Sequence, residues 1–121
     1  MVDDNKDAAD TVAFMLELSG WDATAVYSGQ DALDAVAWSI PDVVLLDIGM
    51  PGMSGFSVAA RLHNLYGSRC PVLIALTAWS DERTKICCGE VGMAQHLAKP
   101  VEMDVLLRIL GQLVQLKEVE K

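Results

Sequence analysis

Asp3, Asp4, Asp47, Thr77 and Lys99 share one feature: each closes a short apolar run. Clustered carboxylates repel one another, and their ionised forms need compensation. A hard divalent cation such as Mg²⁺ supplies it, since it takes oxygen ligands and few protein carboxylates. One lysine adds a compact, mobile positive charge suited to a phosphate oxygen. A threonine hydroxyl can donate to a second oxygen. The set suits transfer of a phosphoryl group to a carboxylate, with cation and ammonium neutralising the charge. Asp47 is the fittest nucleophile. It ends the run Val43-Val44-Leu45-Leu46, and a loop rich in Gly and Pro follows, "IGMPGMSG", which keeps bulk away from an incoming group.

Such residues meet only if the chain brings strand ends together. Residues 7–18 carry a helical stripe of Ala9, Val12, Ala13 and Leu16, closed by Gly20. Asp22 to Tyr27 alternates like a strand, and Ser28 can cap a helix whose inner face is Leu33, Val36 and Ala37. Pro41-Asp42 breaks that helix. The continuous apolar runs Val43–Leu46 and Val72–Leu76 suit strands covered on both faces. Between them Ser54 can cap a helix carrying Phe56, Val58, Ala59 and Leu62. A helix over 81–91, a short strand Gln95–Ala98 and a long helix from Glu102 to about Leu116 complete the chain. This alternation predicts an α/β doubly wound parallel sheet with helices on both faces, in a single domain over residues 1–121. In such sheets ligands bind beyond the carboxyl ends of the strands, where the five groups would converge. Only Met1-Val2 precede Asp3, so the first strand is a stub or has residues ahead of it. Backbone groups beside it are expected to be under-paired.

Composition narrows the function. The chain has 121 residues, is 52% hydrophobic and carries a formal net charge of -8. That supports one well-filled core. It argues against a nucleic-acid surface, which needs clustered positive charge. No apolar run approaches a membrane span, and no secretion signal opens the chain. Cys70, Cys87 and Cys88 fit neither a disulfide framework nor a zinc spacing, and read as free thiols in a reducing cytoplasm.

Four motifs in order resemble the response-regulator receiver domain of two-component signalling, including receivers of hybrid histidine kinases. They are "VDDN" (2–5), "LLDIGMPGMSG" (45–55), "ALTAW" (75–79) and "LAKPV" (97–101). The resemblance spans nearly all of residues 1–116. It implies a five-stranded sheet of order 2-1-3-4-5 flanked by five helices, here with a truncated first strand. It implies that Asp47 accepts a phosphoryl group from a histidine kinase or phosphotransfer protein. Asp4, Asp47 and the Gly49 backbone carbonyl would bind Mg²⁺, with Asp3 acting mainly through water. Thr77 and Lys99 would hold phosphoryl oxygens, and a cis Lys99–Pro100 bond would aim the lysine. Such a domain is no conventional enzyme: it catalyses its own phosphorylation and slow self-dephosphorylation. The response would remodel the face of the fourth helix, fifth strand and fifth helix, a face that also allows a homodimer. His96 stands where a switch aromatic is usual, which makes it the switch candidate.

Blander readings stand beside these. Asp3 and Asp4 alone would be a solvated acidic terminus, Lys99 a surface lysine, and Thr77 a strand-end residue. Convergence of all of them favours a site. His63 reads as solvated, Trp21 and Trp38 as packing at helix ends, and Met50 and Met53 as residues that shape the loop. The alternative function is a receiver-like interaction scaffold that works without phosphorylation. A phosphohydrolase would need a second acid beside the nucleophile, which "DIGMP" lacks.

Overall fold

The structure is a computed structural model. It describes residues 1–50, 52–77, 90, 92–99 and 101–119, without the side chains of 114–119. In chain order its elements are α1 (Lys6–Leu18), α2 (Gly29–Trp38), β1 (Val43–Asp47), α3 (Gly55–Tyr66), a 3₁₀ turn (Gly67–Arg69), β2 (Val72–Thr77), β3 (Gln95–Ala98) and α4 (Met103–Val119). The expected helix over 81–91 and the Lys99–Pro100 bond fall outside the described residues. The helix α4 is therefore the one expected from Glu102 onward.

Local chemistry sets the helix starts. Asn5, Ser28 and Ser54 stand in extended backbone and accept from the Ala8, Asp31 and Ser57 N–H groups. At the end of α1, Gly20 takes φ +95°. Its N–H donates to Glu17 C=O, and the Trp21 N–H to Leu16 C=O, a Schellman closure.

The three strands pair in parallel in the order β1-β2-β3, with Val43 opposite Val72 and Ile74 opposite Gln95. The expected first and second strands are reduced to single-residue bridges. Val2 pairs in parallel with Val26 on one side and Leu46 on the other. The lateral sequence is thus the 22–27 segment, the chain start, β1, β2 and β3. Main-chain bonds hold the chain start on both sides: Val2 N–H bonds Leu45 C=O, Asp47 N–H bonds Val2 C=O, and Asp3 N–H bonds Val26 C=O.

Alternation within the strands divides the core. Val44, Leu46, Leu73 and Ala75 pack with α2 and α3, while Leu45, Ile74 and Leu76 pack with α1 and α4. Burial on both faces explains the unbroken apolar runs. Two packing expectations are corrected. In α2 the third inner residue is Ala32 rather than Ala37, which is exposed. Trp38 is 91% exposed and packs nothing away from water, whereas Trp21 folds back onto the cluster holding Leu16. Cys70 is half-buried, and Cys87 and Cys88 lie outside the described residues. Among the described residues no helix is long and apolar enough to cross a membrane.

Candidate phospho-acceptor site

The strand ends deliver the predicted groups to one rim. Asp47 is the last residue of β1, Thr77 the last of β2, and Lys99 follows β3 directly. Asp3 follows the Val2 bridge that holds the chain start beside β1. Parallel pairing brings these ends together, and a Lys99 N–H bond to Thr77 C=O (2.9 Å) extends the β2–β3 contact to the lysine.

Lys99 is the hub. Its Nζ lies 3.1 Å from Oδ2 of Asp3 and 3.1 Å from Oδ2 of Asp47. Each carboxylate uses its other oxygen locally. Oδ1 of Asp3 accepts from the Asn5 N–H and Oδ1 of Asp47 from the Gly49 N–H, both at 3.0 Å. Asp3, Asp47 and Thr77 are buried, while Lys99 keeps 31% of its side chain exposed. Asp4 is exposed, yet a carboxylate oxygen from each of Asp3, Asp4 and Asp47 falls within one 4.8 Å cluster. Three hard oxygen donors so placed fit a divalent cation of the Mg²⁺ type.

Electrostatics split the two buried acids. Burial is the largest influence on Asp47, and with the Asp3 charge beside it the carboxyl is pushed up, against the Gly49 N–H and Lys99. Burial also pushes on Asp3, but the Asn5 N–H, its contact with Asp47 and the Lys99 charge together hold it below the ordinary value. Burial would lower Lys99, yet bonds to the two carboxylates outweigh it and raise the ammonium. The site thus holds a firmly ionised Asp3, a Lys⁺, and one acid whose charge is held at a cost.

The loop after Asp47 has to come close. A side chain at Gly55 would meet the Asp47 carbonyl oxygen at 2.5 Å and Ile48 Cα at 3.1 Å, so only glycine lets α3 start there. Met50 is buried in the core, and Met53 packs where a Cβ on Gly29 would lie 2.9 Å from its sulfur. These methionines fasten the loop, as read from the sequence.

Other predicted residues lie apart from the hub. His96 is half-buried in β3, opposite Ala75. His63 is exposed as expected, but its Nε2 lies 3.1 Å from Gly92 C=O, a contact no sequence spacing signals. A second missed group flanks the rim. Tyr27 O–H donates to Asp10 at 2.6 Å, and Lys6 Nζ lies 5.5 Å from the centre of the Tyr27 ring. The bond to Asp10 raises the tyrosine hydroxyl above its ordinary value.

Residues 1–111 match the response regulator receiver domain family. The chain belongs to that family. The receiver's fold is shared by many solved structures. The signal receiver domain of a modulated diguanylate cyclase from Desulfovibrio desulfuricans G20 is 31% identical, with a TM-score of 0.84 over 99% of this chain and 94% of that one. The receiver domain of Francisella response regulator 1452 is 27% identical, with a TM-score of 0.87 over 96% and 94%. The BeF3-activated N-terminal receiver domain of Klebsiella pneumoniae RstA is 26% identical, with a TM-score of 0.82 over 92% of each chain. This is therefore a receiver domain of two-component signalling, and its acidic cluster resembles the family's phospho-acceptor site.

Proposed function

We propose that this receiver accepts a phosphoryl group on Asp47 and passes the event on as a change of shape. The observation that carries the reading is the hub: one ammonium 3.1 Å from Oδ2 of two buried carboxylates at neighbouring strand ends. With a phosphohistidine donor, from a histidine kinase or phosphotransfer protein, an Asp47 carboxylate oxygen attacks phosphorus. The P–N bond breaks, and its electron pair stays on the imidazole nitrogen, which takes up a proton. Burial, with the Asp3 charge beside it, raises the Asp47 pKa although both of its oxygens are paired, which makes its carboxylate a stronger nucleophile than an ordinary one.

Bound Mg²⁺ would neutralise phosphoryl oxygens. Asp4, exposed and within the oxygen cluster, would be the direct ligand with Asp47 and the Gly49 carbonyl. Asp3, already engaged by Asn5 and Lys99, acts through water. Lys99, the most exposed member of the hub, moves from the carboxylates to a phosphoryl oxygen. Thr77 donates its hydroxyl to a second one. The same rim returns the receiver to rest by slow hydrolysis. His96, in the strand beside Thr77, would carry the change to the α4 side, where partners or a second copy dock. The setting is cytoplasmic, where histidine kinases deliver their phosphoryl groups.

The test is labelling with acetyl phosphate and Mg²⁺, followed by intact mass. The wild type gains one phosphoryl group. Asp47→Asn gains none and keeps a cooperative unfolding transition. Undiminished labelling of the variant would remove Asp47 from the role. Excess chelator should abolish labelling as well, and Asp4→Ala should weaken Mg²⁺ dependence more than Asp3→Ala.

A further inference from the structure

The turn Asp3-Asp4-Asn5-Lys6 rests at both ends on one pair of residues, Val26 and Tyr27. At one end the Asp3 N–H donates to Val26 C=O at 3.2 Å. At the other the Lys6 Nζ lies 5.5 Å from the centre of the Tyr27 ring. Between them the chain holds itself: the Asn5 N–H donates to Oδ1 of Asp3, and Oδ1 of Asn5 accepts from the Ala8 N–H. Asp4 sits in the middle, exposed, with a carboxylate oxygen in the cluster it forms with Asp3 and Asp47. Among the described residues its carboxylate enters no ion pair, so its place is set by the turn that carries it.

Tyr27 closes that turn through α1. Lys6 and Asp10 stand at i and i+4, where an ammonium and a carboxylate commonly meet on a helix. Among the described residues neither enters an ion pair. They clasp Tyr27 instead, the ammonium over its ring and the Asp10 carboxylate accepting from its hydroxyl at 2.6 Å. A cation over a ring and a charge-assisted hydrogen bond both fix direction as well as contact. The clasp uses both parts of a tyrosine. Phenylalanine would keep the ring alone, and leucine would keep neither.

We propose that Tyr27 is a positioning residue for Asp4, an assignment that rests on Mg²⁺ binding at this rim. By holding the start of α1 against the end of the 22–27 segment, it keeps the Asp4 carboxylate where a divalent cation can meet it together with Asp47. An exposed carboxylate on a loose turn must be ordered by the ion that binds it, and that ordering weakens binding. A turn fastened at both ends is ordered on folding instead. Mg²⁺ gains most from this, because it demands near-octahedral geometry, whereas Ca²⁺ accepts irregular cages. Loosening the turn should therefore cost Mg²⁺ affinity and spare Ca²⁺.

The test titrates the whole chain with MgCl₂ and, separately, with CaCl₂, followed by the NMR shift of the Gly49 amide. Tyr27→Leu should weaken Mg²⁺ binding about tenfold, as loss of a residue that orients a metal ligand does. Its Ca²⁺ affinity should change by less than about twofold. Tyr27→Phe, which spares the ring beside Lys6 and is the gentler change for folding, should lie between wild type and Tyr27→Leu. In a chain that already carries Asp4→Ala and keeps the Asp47 and Gly49 oxygens, Tyr27→Leu should weaken the residual Mg²⁺ binding no further, since two residues that act through one contact are not additive. Unchanged Mg²⁺ affinity in both Tyr27 variants would overturn the proposal. Equal weakening of Mg²⁺ and Ca²⁺ would overturn it in favour of a general loosening of the rim, and an undiminished effect in the Asp4→Ala chain would overturn it in favour of a different ligand. These three results leave the metal site standing. A wild type that binds no Mg²⁺ would remove the site and the proposal together.

Discussion

The two ends of the sheet are built on opposite principles. At the carboxyl end every carboxylate oxygen of Asp3 and Asp47 has a partner, and the strain is electrostatic: two buried acids share one ammonium. At the amino end a cavity of about 560 Å³ has a mainly apolar lining, and single-residue bridges hold the chain start. Charges held at a cost respond to a ligand that brings charge, such as a cation or a phosphoryl group. Substitutions at each end should therefore fail in different ways.

The largest effect is expected at the carboxyl end, where backbone meets backbone. Gly55→Ala places a methyl 2.5 Å from the Asp47 carbonyl oxygen, and neither α3 nor β1 can yield cheaply. A loss of about 3 kcal/mol in urea unfolding is expected, the upper range for overpacking. A loss below about 0.5 kcal/mol would show that the loop is softer than its contacts suggest.

Lys99→Met comes next. It leaves Asp3 and Asp47 facing each other without a cation. Breaking a fully buried pair costs more, but Lys99 is partly exposed, so about 2 kcal/mol is expected at neutral pH. The loss should shrink at about pH 4, where one carboxyl takes up a proton. The double variant with Asp47→Asn should regain most of it. An equal loss at both pH values would mean that the lysine acts through packing of its stem.

Most of the carboxyl end was legible from sequence. An acid, hydroxyl or lysine that closes an apolar run has one place to go in a parallel sheet, so Asp47, Thr77 and Lys99 could be placed before any coordinates. The caps Ser28 and Ser54 were legible for a similar reason, since their chemistry is local. The packing of α2 was less so. The stripes 32/33/36 and 33/36/37 share two members, and periodicity does not choose between them. Gly29 does: with 32, 33 and 36 it completes an i, i+3, i+4, i+7 face, and its own close approach to Met53 and Val58 sets the rotation. The amino end was only half legible. That Met1-Val2 alone precede Asp3 in this sequence was plain, but the bridges from Val2 to Val26 and Leu46 join segments far apart in sequence, which no local pattern records. The His63–Gly92 contact, with 29 residues between its partners, had no signal at all.

A smaller effect tests the electrostatic half of the comparison. Asp47 has a raised pKa in the fold, so its contribution to stability is fully present below the unfolded value, 3.8, and is lost as pH rises through the folded value. Asp3 has the opposite sign: its contribution is present above 3.8 and fades as pH falls through its lowered value. Asp47→Asn removes the first of these and spares Asp3 a neighbouring charge. The variant should gain about 1 kcal/mol over the wild type at pH 7, a typical size for one substitution. The gain should vanish near pH 3.5, where the wild-type carboxyl is protonated too. A gain independent of pH would show that the carboxylate pair is not strained.

The smallest effect belongs to the amino end, and it separates two tryptophans that look alike in sequence. Both close a helix. Trp21 follows the Schellman turn of α1, whose bond from the Trp21 N–H to Leu16 C=O folds the ring back toward the Leu16 cluster. Trp38 ends α2 at Ser39, which stands in extended backbone, and nothing turns its ring inward. At 91% exposure it gives up almost no contact with water on folding. Trp38→Ser should therefore change stability by less than about 0.5 kcal/mol, while Trp21→Ser should cost about 2 kcal/mol. Urea unfolding of the two variants measures both. A stability loss above about 1 kcal/mol would show that Trp38 packs in solution.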